Sequence, residues 1–255
     1  MSGDAGDRVV VVSPHLDDAV LSAWRVLAGR RGVEVLTSFA GYPPQDAAMG
    51  SWEVATGGLQ GRAAVAARRH EDRAALALSD SGVTHLDLPD PQYRRDATGV
   101  VDNLAELLGP RLRGREEVWL PAGIGGHVDH CATRDAVLAA SDASSRRMLY
   151  ADLPYAAQPG WPAGLTGGVR DRLVAAAAPR LGMATPIQQW RTALATVPVV
   201  ALDDVRLTLL TAAERRDKWA AVQCYGSQLE ALRCGRRHHL RRRRVFAFEA
   251  YWSLG

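Results

Sequence analysis

Cysteine is scarce in this chain, and the scarcity excludes several classes. Cys131, Cys224 and Cys234 show neither C-x-x-C spacing nor the even-numbered framework of a disulfide-stapled domain. Free thiols in a reducing cytoplasm are the expectation. Long apolar runs are missing as well, since no stretch approaches the roughly 18 uninterrupted apolar residues of a membrane span. The opening MSGDAGDR is polar and acidic, without the basic and apolar segments of a secretion signal, so none is expected. Lysine is greatly outnumbered by arginine, and the formal net charge is only +3 despite a pI of about 9.0. The basicity is lumpy: RRHEDR near 68–73 is mixed, whereas RRHHLRRRR at 236–244 is a true basic run.

What is present is ordinary globular material, 47% apolar and 23% charged over 255 residues, enough to bury a substantial core. RVVVVS (8–13) is a short β-branched run of the kind buried in a parallel sheet. A helical period follows over Asp17–Gly29, then a strand over Val33–Ala40 and a Gly/Pro-rich loop at roughly 41–60. The alternation continues: helix Arg62–Leu78, strand 84–88, helix Val100–Leu112, strand 116–121, helix Asp129–Ala140 and strand 146–152. Strands alternating with helices of this length predict an α/β fold, a Rossmann-like, mostly parallel sheet with helices on both faces. Such sheets bind ligands at the carboxyl ends of their strands. From about 153 the pattern is more irregular, with a helix over Val169–Ala178, strand-like VRLTLL, a helix over Ala212–Leu232 and a last strand, VFAFEAYW. With no repeat or linker, the reading is one domain, 1–255, with a core at 1–152 and a C-terminal extension at 153–255 completing the fold.

Two of the strands are followed by unusual turns. PHLDD (14–18) comes directly after RVVVVS, and GGHVDH (125–130) comes just after EEVWLP. If both strands are parallel in one sheet, His15, Asp17, Asp18, His127, Asp129 and His130 can converge on one point. Two imidazoles and a carboxylate with an open fourth position make a catalytic zinc site, and surplus carboxylate and imidazole groups can move protons or polarise a carbonyl. The plain alternative is that the doubled aspartate caps a helix and His127 is a loop residue.

PHLDDAVLS resembles the P-H-x-D-D signature of the PIG-L/LmbE family of zinc-dependent N-deacetylases, and GGHVDH resembles its H-x-D-H signature. The likeness extends to Arg68, Arg69 and Glu71, to Lys218, Tyr225, Ser227 and Gln228, and to the closing Glu249–Trp252. It implies Zn²⁺ held by His15, Asp18 and His130, with Asp17 as general base. It also implies His127 as the group that stabilises the oxyanion, by electrostatics or as a general acid, and Asp129 as the carboxylate that orients a histidine. Arg68 becomes the candidate for substrate contact. Leu16 and Ala19 stand where the commonest form of the first signature has proline and glutamate, and Trp24–Arg25 where the family often has a glycine pair. Neither departure touches an implied ligand.

The remaining features have plainer readings. Arg68, Arg69 and Glu71 otherwise read as an exposed helix face with local ion pairs. Tyr225 reads as core, and Cys131 as a small buried hydrophobe. RRHHLRRRR, with His238 and His239, lacks interleaved aromatics and reads as a solvated loop or subunit contact within a homo-oligomer. The resemblance thus implies a cytoplasmic hydrolase that removes an N-acyl group, an acetyl above all, from a GlcNAc-type amino sugar in a small glycoside. The alternatives are a zinc amidase acting on a non-sugar amide such as a thiol conjugate, and a basic nucleic-acid-binding module.

Overall fold

Strands β1 (Val9–Ser13), β2 (Glu34–Thr37), β3 (Gly82–His85), β4 (Glu117–Pro121) and β5 (Arg146–Tyr150) pair in parallel. Two later strands, β6 (Arg206–Leu209) and β7 (Phe248–Leu254), extend the same sheet antiparallel, giving seven strands in the order β3-β2-β1-β4-β5-β7-β6. The computed structural model describes residues 9–56, 58–94, 96, 98–157, 161, 169–195, 197, 204–232 and 243–254. Residues 198–203, Cys234 and 236–242 of the basic run, with His238 and His239, lie outside them.

The valines explain the centre of this sheet. Val10, Val11 and Val12 are fully buried, and each contributes about 1.5–3 kcal/mol over an exposed position. β1 is flanked by β2 on one side and β4 on the other, so the strand order reverses there. In open α/β sheets that reversal opens a crevice at the carboxyl ends, which is where ligands sit. PHLDD leaves β1 and GGHVDH leaves β4, so both turns meet at that crevice.

Several expected elements differ in extent, each for a physical reason. The helix expected over Asp17–Gly29 is two pieces, α1 (Asp18–Ser22) and α2 (Trp24–Gly29), broken at Ala23. The Glu249 carboxylate accepts the backbone N–H groups of Trp24 (2.7 Å) and Arg25 (3.0 Å), which caps the second piece from a distant strand. The loop at 41–60 contains α3 (Ser51–Thr56), organised by the Glu53 carboxylate. That group accepts the Gly50 N–H at 2.8 Å, the Gly61 N–H and the Tyr93 hydroxyl. The late helix divides into α9 (Ala212–Gln223) and α10 (Gly226–Leu232), because Tyr225 turns fully inward and its hydroxyl donates to Asp72 Oδ1 at 2.8 Å.

The other helices are α4 (Gly61–Ala77), α5 (Val100–Leu112), α6 (Val128–Ala140), α7 (Val169–Ala177) and α8 (Pro186–Leu194). Like α3, α8 was unforeseen. A Thr185–Gln188 capping box starts it, and its fully buried Trp190 stacks near Trp161 with ring centroids 5.8 Å apart.

Candidate metal centre and its cavity

The first turn is closed by Ser13. Its hydroxyl donates to His15 O (2.7 Å) and accepts the Ala19 N–H (3.1 Å), while the Asp17 N–H donates to His15 O (3.0 Å). Asp17 occupies the N-cap position of α1, but its side chain makes no capping bond. The hydroxyl of Ser13 thus satisfies the donor that a capping aspartate would take. Asp18 Oδ2 accepts the backbone N–H of His15 at 2.9 Å, which folds the carboxylate back over the turn.

The second turn depends on glycine. Gly125 has φ 85°, and a Cβ there would lie 3.1 Å from Cβ of Tyr155. His127 then caps α6, its Nδ1 accepting the Asp129 N–H at 3.3 Å. A ring that accepts at Nδ1 carries its proton, when neutral, on Nε2.

His15, His127 and His130 bring ring nitrogens within 4.8 Å of one another. Asp18 Oδ2 lies 3.3 Å from His15 Nδ1 and 3.3 Å from His130 Nε2. Behind each of these rings stands a carboxylate. His15 Nε2 donates to Asp129 Oδ2 at 2.9 Å, and His130 Nδ1 donates to Asp152 Oδ1 at 2.7 Å. The second oxygen of Asp152 accepts the Ile124 N–H at 2.9 Å, and that of Asp129 accepts from Arg94 Nη2. The forward nitrogen of His130 is buried with no hydrogen-bond partner among the described residues. Imidazoles oriented from behind by carboxylates, with an orphaned nitrogen facing a third carboxylate, form a donor set that fits a divalent metal ion.

The electrostatics point the same way. Burial lowers the proton affinity of His130, but Asp18 and Asp152 outweigh it and raise the ring to about 9. His15 is raised well above its ordinary value by Asp129 and Asp18 against the same burial cost. Asp18 is buried too, yet His130 and His15 hold its carboxyl far below the usual range. This surplus of carboxylate charge is what a divalent cation would answer in place of protons. Asp17 behaves oppositely: burial and the neighbouring Asp18 push it up to about 7, against Arg68 and His15. His127 falls to about 4 through burial and the cationic character of His15 and His130, so near neutral pH it is an uncharged donor.

A cavity of about 370 Å³ opens over these groups, with His15, Asp17, Asp18, His127, His130 and Arg68 in its wall. Asp129 is fully buried behind His15. Trp52, Asp90, Gln92, Tyr155 and Gln228 complete much of the lining and were not anticipated as cavity residues. Nor was Asp152, whose one signal is its place at the carboxyl end of RRMLYAD, beside β4. Tyr155 meets the His130 ring edge to face and the His127 ring at a tilt, with ring centroids 5.1 and 5.5 Å away.

The exposed-face reading of α4 fails. Arg68 is only 9% exposed, its Nε donating to Gln228 Oε1 at 2.9 Å and its Nη1 lying 3.7 Å from Asp90. Arg69 lies over the Tyr42 ring at 4.6 Å, and Glu71 accepts from Ser227 N and Oγ at 2.8 and 2.7 Å. These residues tie α4 to three separate segments. Tyr225 is core, as read, whereas Cys131 is only half-buried, its thiol turned to Gly123 O at 3.9 Å. No helix among the described residues is long and apolar enough to cross a membrane.

Known proteins resemble this chain in sequence and fold. The 2'-N-acetylparomamine deacetylase of Streptomyces fradiae is 30% identical over 174 residues, covering 59% of this chain and 58% of that enzyme, less than two thirds of either. A solved triple mutant of a deacetylase of the teicoplanin biosynthetic pathway is 26% identical with a TM-score of 0.70, covering 96% of this chain and 97% of that one. The zinc-inhibited form of a teicoplanin deacetylase, 23% identical over 96% of this chain and 97% of its own, shares the fold with a TM-score of 0.65. The sequence profile of the PIG-L family, described as GlcNAc-PI de-N-acetylase, matches residues 10–141, more than half of the chain and including both histidine turns. The chain belongs to the PIG-L family.

Proposed function

We propose that the chain is a zinc-dependent hydrolase, a single deacetylase domain that removes the N-acetyl group from an amino sugar in a small glycoside. The observation that carries this reading is Asp17. It is a buried carboxylate without a side-chain hydrogen bond among the described residues, raised to about 7, beside two histidines whose forward nitrogens face Asp18. Relatives that act on N-acetylparomamine or in teicoplanin biosynthesis support a glycoside as the substrate class.

His15, Asp18 and His130 would hold the ion, with Asp129 and Asp152 orienting the two rings. Held there, a zinc ion supplies Lewis-acid polarisation of the amide carbonyl and lowers the pKa of water to about 7. Asp17 takes the proton from the attacking water, and its raised affinity suits it to pass that proton to the leaving nitrogen. His127 donates from Nε2 to the carbonyl oxygen as negative charge develops there, which fits the neutral-donor form of its expected role. The products are acetate and the free amino sugar, so one water is consumed and one amide C–N bond is broken. Arg68, braced by Gln228 and facing Asp90, stands where it can bind the sugar.

The test is metal analysis with a substrate panel of N-acetylated aminoglycosides, N-acetyl-glucosaminyl glycosides and N-acyl thiol conjugates. Wild-type protein should bind about one zinc per chain, release acetate from a glycoside and lose turnover on chelation. Asp17→Asn should keep the zinc and lose about 10²–10⁴ in kcat. Turnover restricted to the thiol conjugates, or full activity in Asp17→Asn, would refute the reading.

A further inference from the structure

We propose that Arg94 is a positioning residue for the metal site, holding Asp129 so that His15 presents Nδ1 forward. The proposal rests on the metal-site reading above and adds a residue that reading does not use. Asp129 is fully buried, and its two oxygens are divided: Oδ2 takes the His15 Nε2–H at 2.9 Å and Oδ1 takes Arg94 Nη2. Without the guanidinium, Oδ1 would be a buried anionic oxygen lacking a donor, and the carboxylate would turn to find one. Turning it releases the Nε2–H of His15, the bond that fixes that ring.

The two carboxylates behind the site differ in how they are anchored. Asp152 is pinned by the backbone N–H of Ile124, next to β4. Asp129 is pinned by a long side chain that arrives from the segment after β3, the far edge of the sheet. The Arg94 guanidinium carbon lies over the Phe39 ring, 4.6 Å from its centroid, and the Phe39 ring centroid in turn stands 6.1 Å from that of His15. Its other arm, Nη1, is buried without a partner among the described residues, so the guanidinium is held there by one hydrogen bond and one cation–π contact. Asp90, Pro91 and Gln92, just before Arg94 in the chain, line the cavity. Arg94 therefore links the segment that meets substrate to the histidine that meets metal.

Zinc affinity by competition with a chromophoric chelator reads this directly, without reference to turnover. Arg94→Met keeps an unbranched stem over Phe39 but removes the donor and the charge. It should bind zinc at least about tenfold more weakly, and Arg94→Lys should recover to within about threefold of wild type. The visible spectrum at saturating Co²⁺ separates position from stability. A displaced His15 changes the band shape in Arg94→Met, whereas a protein that is only less stable keeps it. Zinc binding that is unchanged or tighter in Arg94→Met overturns the proposal, as does a wild-type cobalt band with weakened binding. A wild-type protein that binds no zinc overturns this and the metal-site reading together. One that binds zinc but cleaves no N-acetyl sugar refutes only the activity.

Discussion

Between Val9 and Asp152 the chain brings its candidate metal-binding and proton-moving groups to the cavity, from two strand-end turns and the first turns of the helices that follow them. Between Arg206 and Leu254 the described residues bring no such group. What the second region supplies is support. Gln228 Nε2 donates to Leu16 O at 2.9 Å, inside the first histidine turn, while its Oε1 holds Arg68. Glu249 caps α2. The Tyr225 hydroxyl fixes Asp72 Oδ1, whose other oxygen lies 2.8 Å from His85 Nε2. The difference separates two tasks that a site must solve. Local turns place the reactive atoms, and side chains from far along the chain keep those turns from relaxing.

The sharpest break is within the first region, where one motif carries two histidines with opposite duties. His130→Ala removes a ring that Asp152 orients and that closes on Asp18, so zinc should be lost and turnover with it. His127→Ala removes a ring that no carboxylate among the described residues orients by a hydrogen bond, so zinc should remain at about one per chain while kcat falls by about 10²–10³. Metal content measured beside single-turnover rates decides the matter. Retained zinc in His130→Ala, or lost zinc in His127→Ala, would exchange the two assignments and make His127 a ligand.

A second break falls in the C-terminal region and should leave the metal alone. Lys218 is fully buried, and its Nζ donates to Glu249 Oε1 at 2.6 Å. Burial lowers its proton affinity while Glu249 raises it, so the pair shares one dry environment. Lys218→Met leaves the Glu249 charge with only two backbone donors, which should cost about 3 kcal/mol in denaturant unfolding. The double variant Lys218→Met/Glu249→Gln should regain part of that loss, because no lone charge is left buried. Zinc content should stay at the wild-type level in both. A fall in zinc would mean that the two regions are less separable than the contacts suggest.

The same division governs what could be read from the sequence. RVVVVS followed by PHLDD, and EEVWLP followed by GGHVDH, are complete signals within about a dozen residues each, so the strands, their shared edge and the convergence of six polar residues were legible there. The broken helices were not. The kink at Ala23 depends on Glu249, and the turn at Tyr225 depends on Asp72, partners 225 and 153 positions away. Periodicity sees only an apolar stripe continuing through both places. Arg68, Arg69 and Glu71 failed for a related reason. On a lone helix they look like solvated charges, and the arrival of α10, the Asp90 segment and the Tyr42 loop buries or engages them. Asp152 was visible as the end of a strand, yet nothing local says that a histidine from α6 will meet it.

The mildest perturbation tests the seam between the regions. Gln228 is almost fully buried, and its side chain bridges Arg68 Nε and Leu16 O. Gln228→Ala leaves both without that partner, which should cost about 1–3 kcal/mol of stability. The metal site keeps all of its own donors, so zinc affinity should be unchanged. Arg68 loses the contact that aims it, so a glycoside that depends on it should show KM raised several-fold with kcat nearly constant, the signature of weakened uniform binding. If kcat falls instead and KM holds, the bridge to Leu16 is what matters. The C-terminal region would then be positioning the turn that carries Asp17, and support would reach into the chemistry itself.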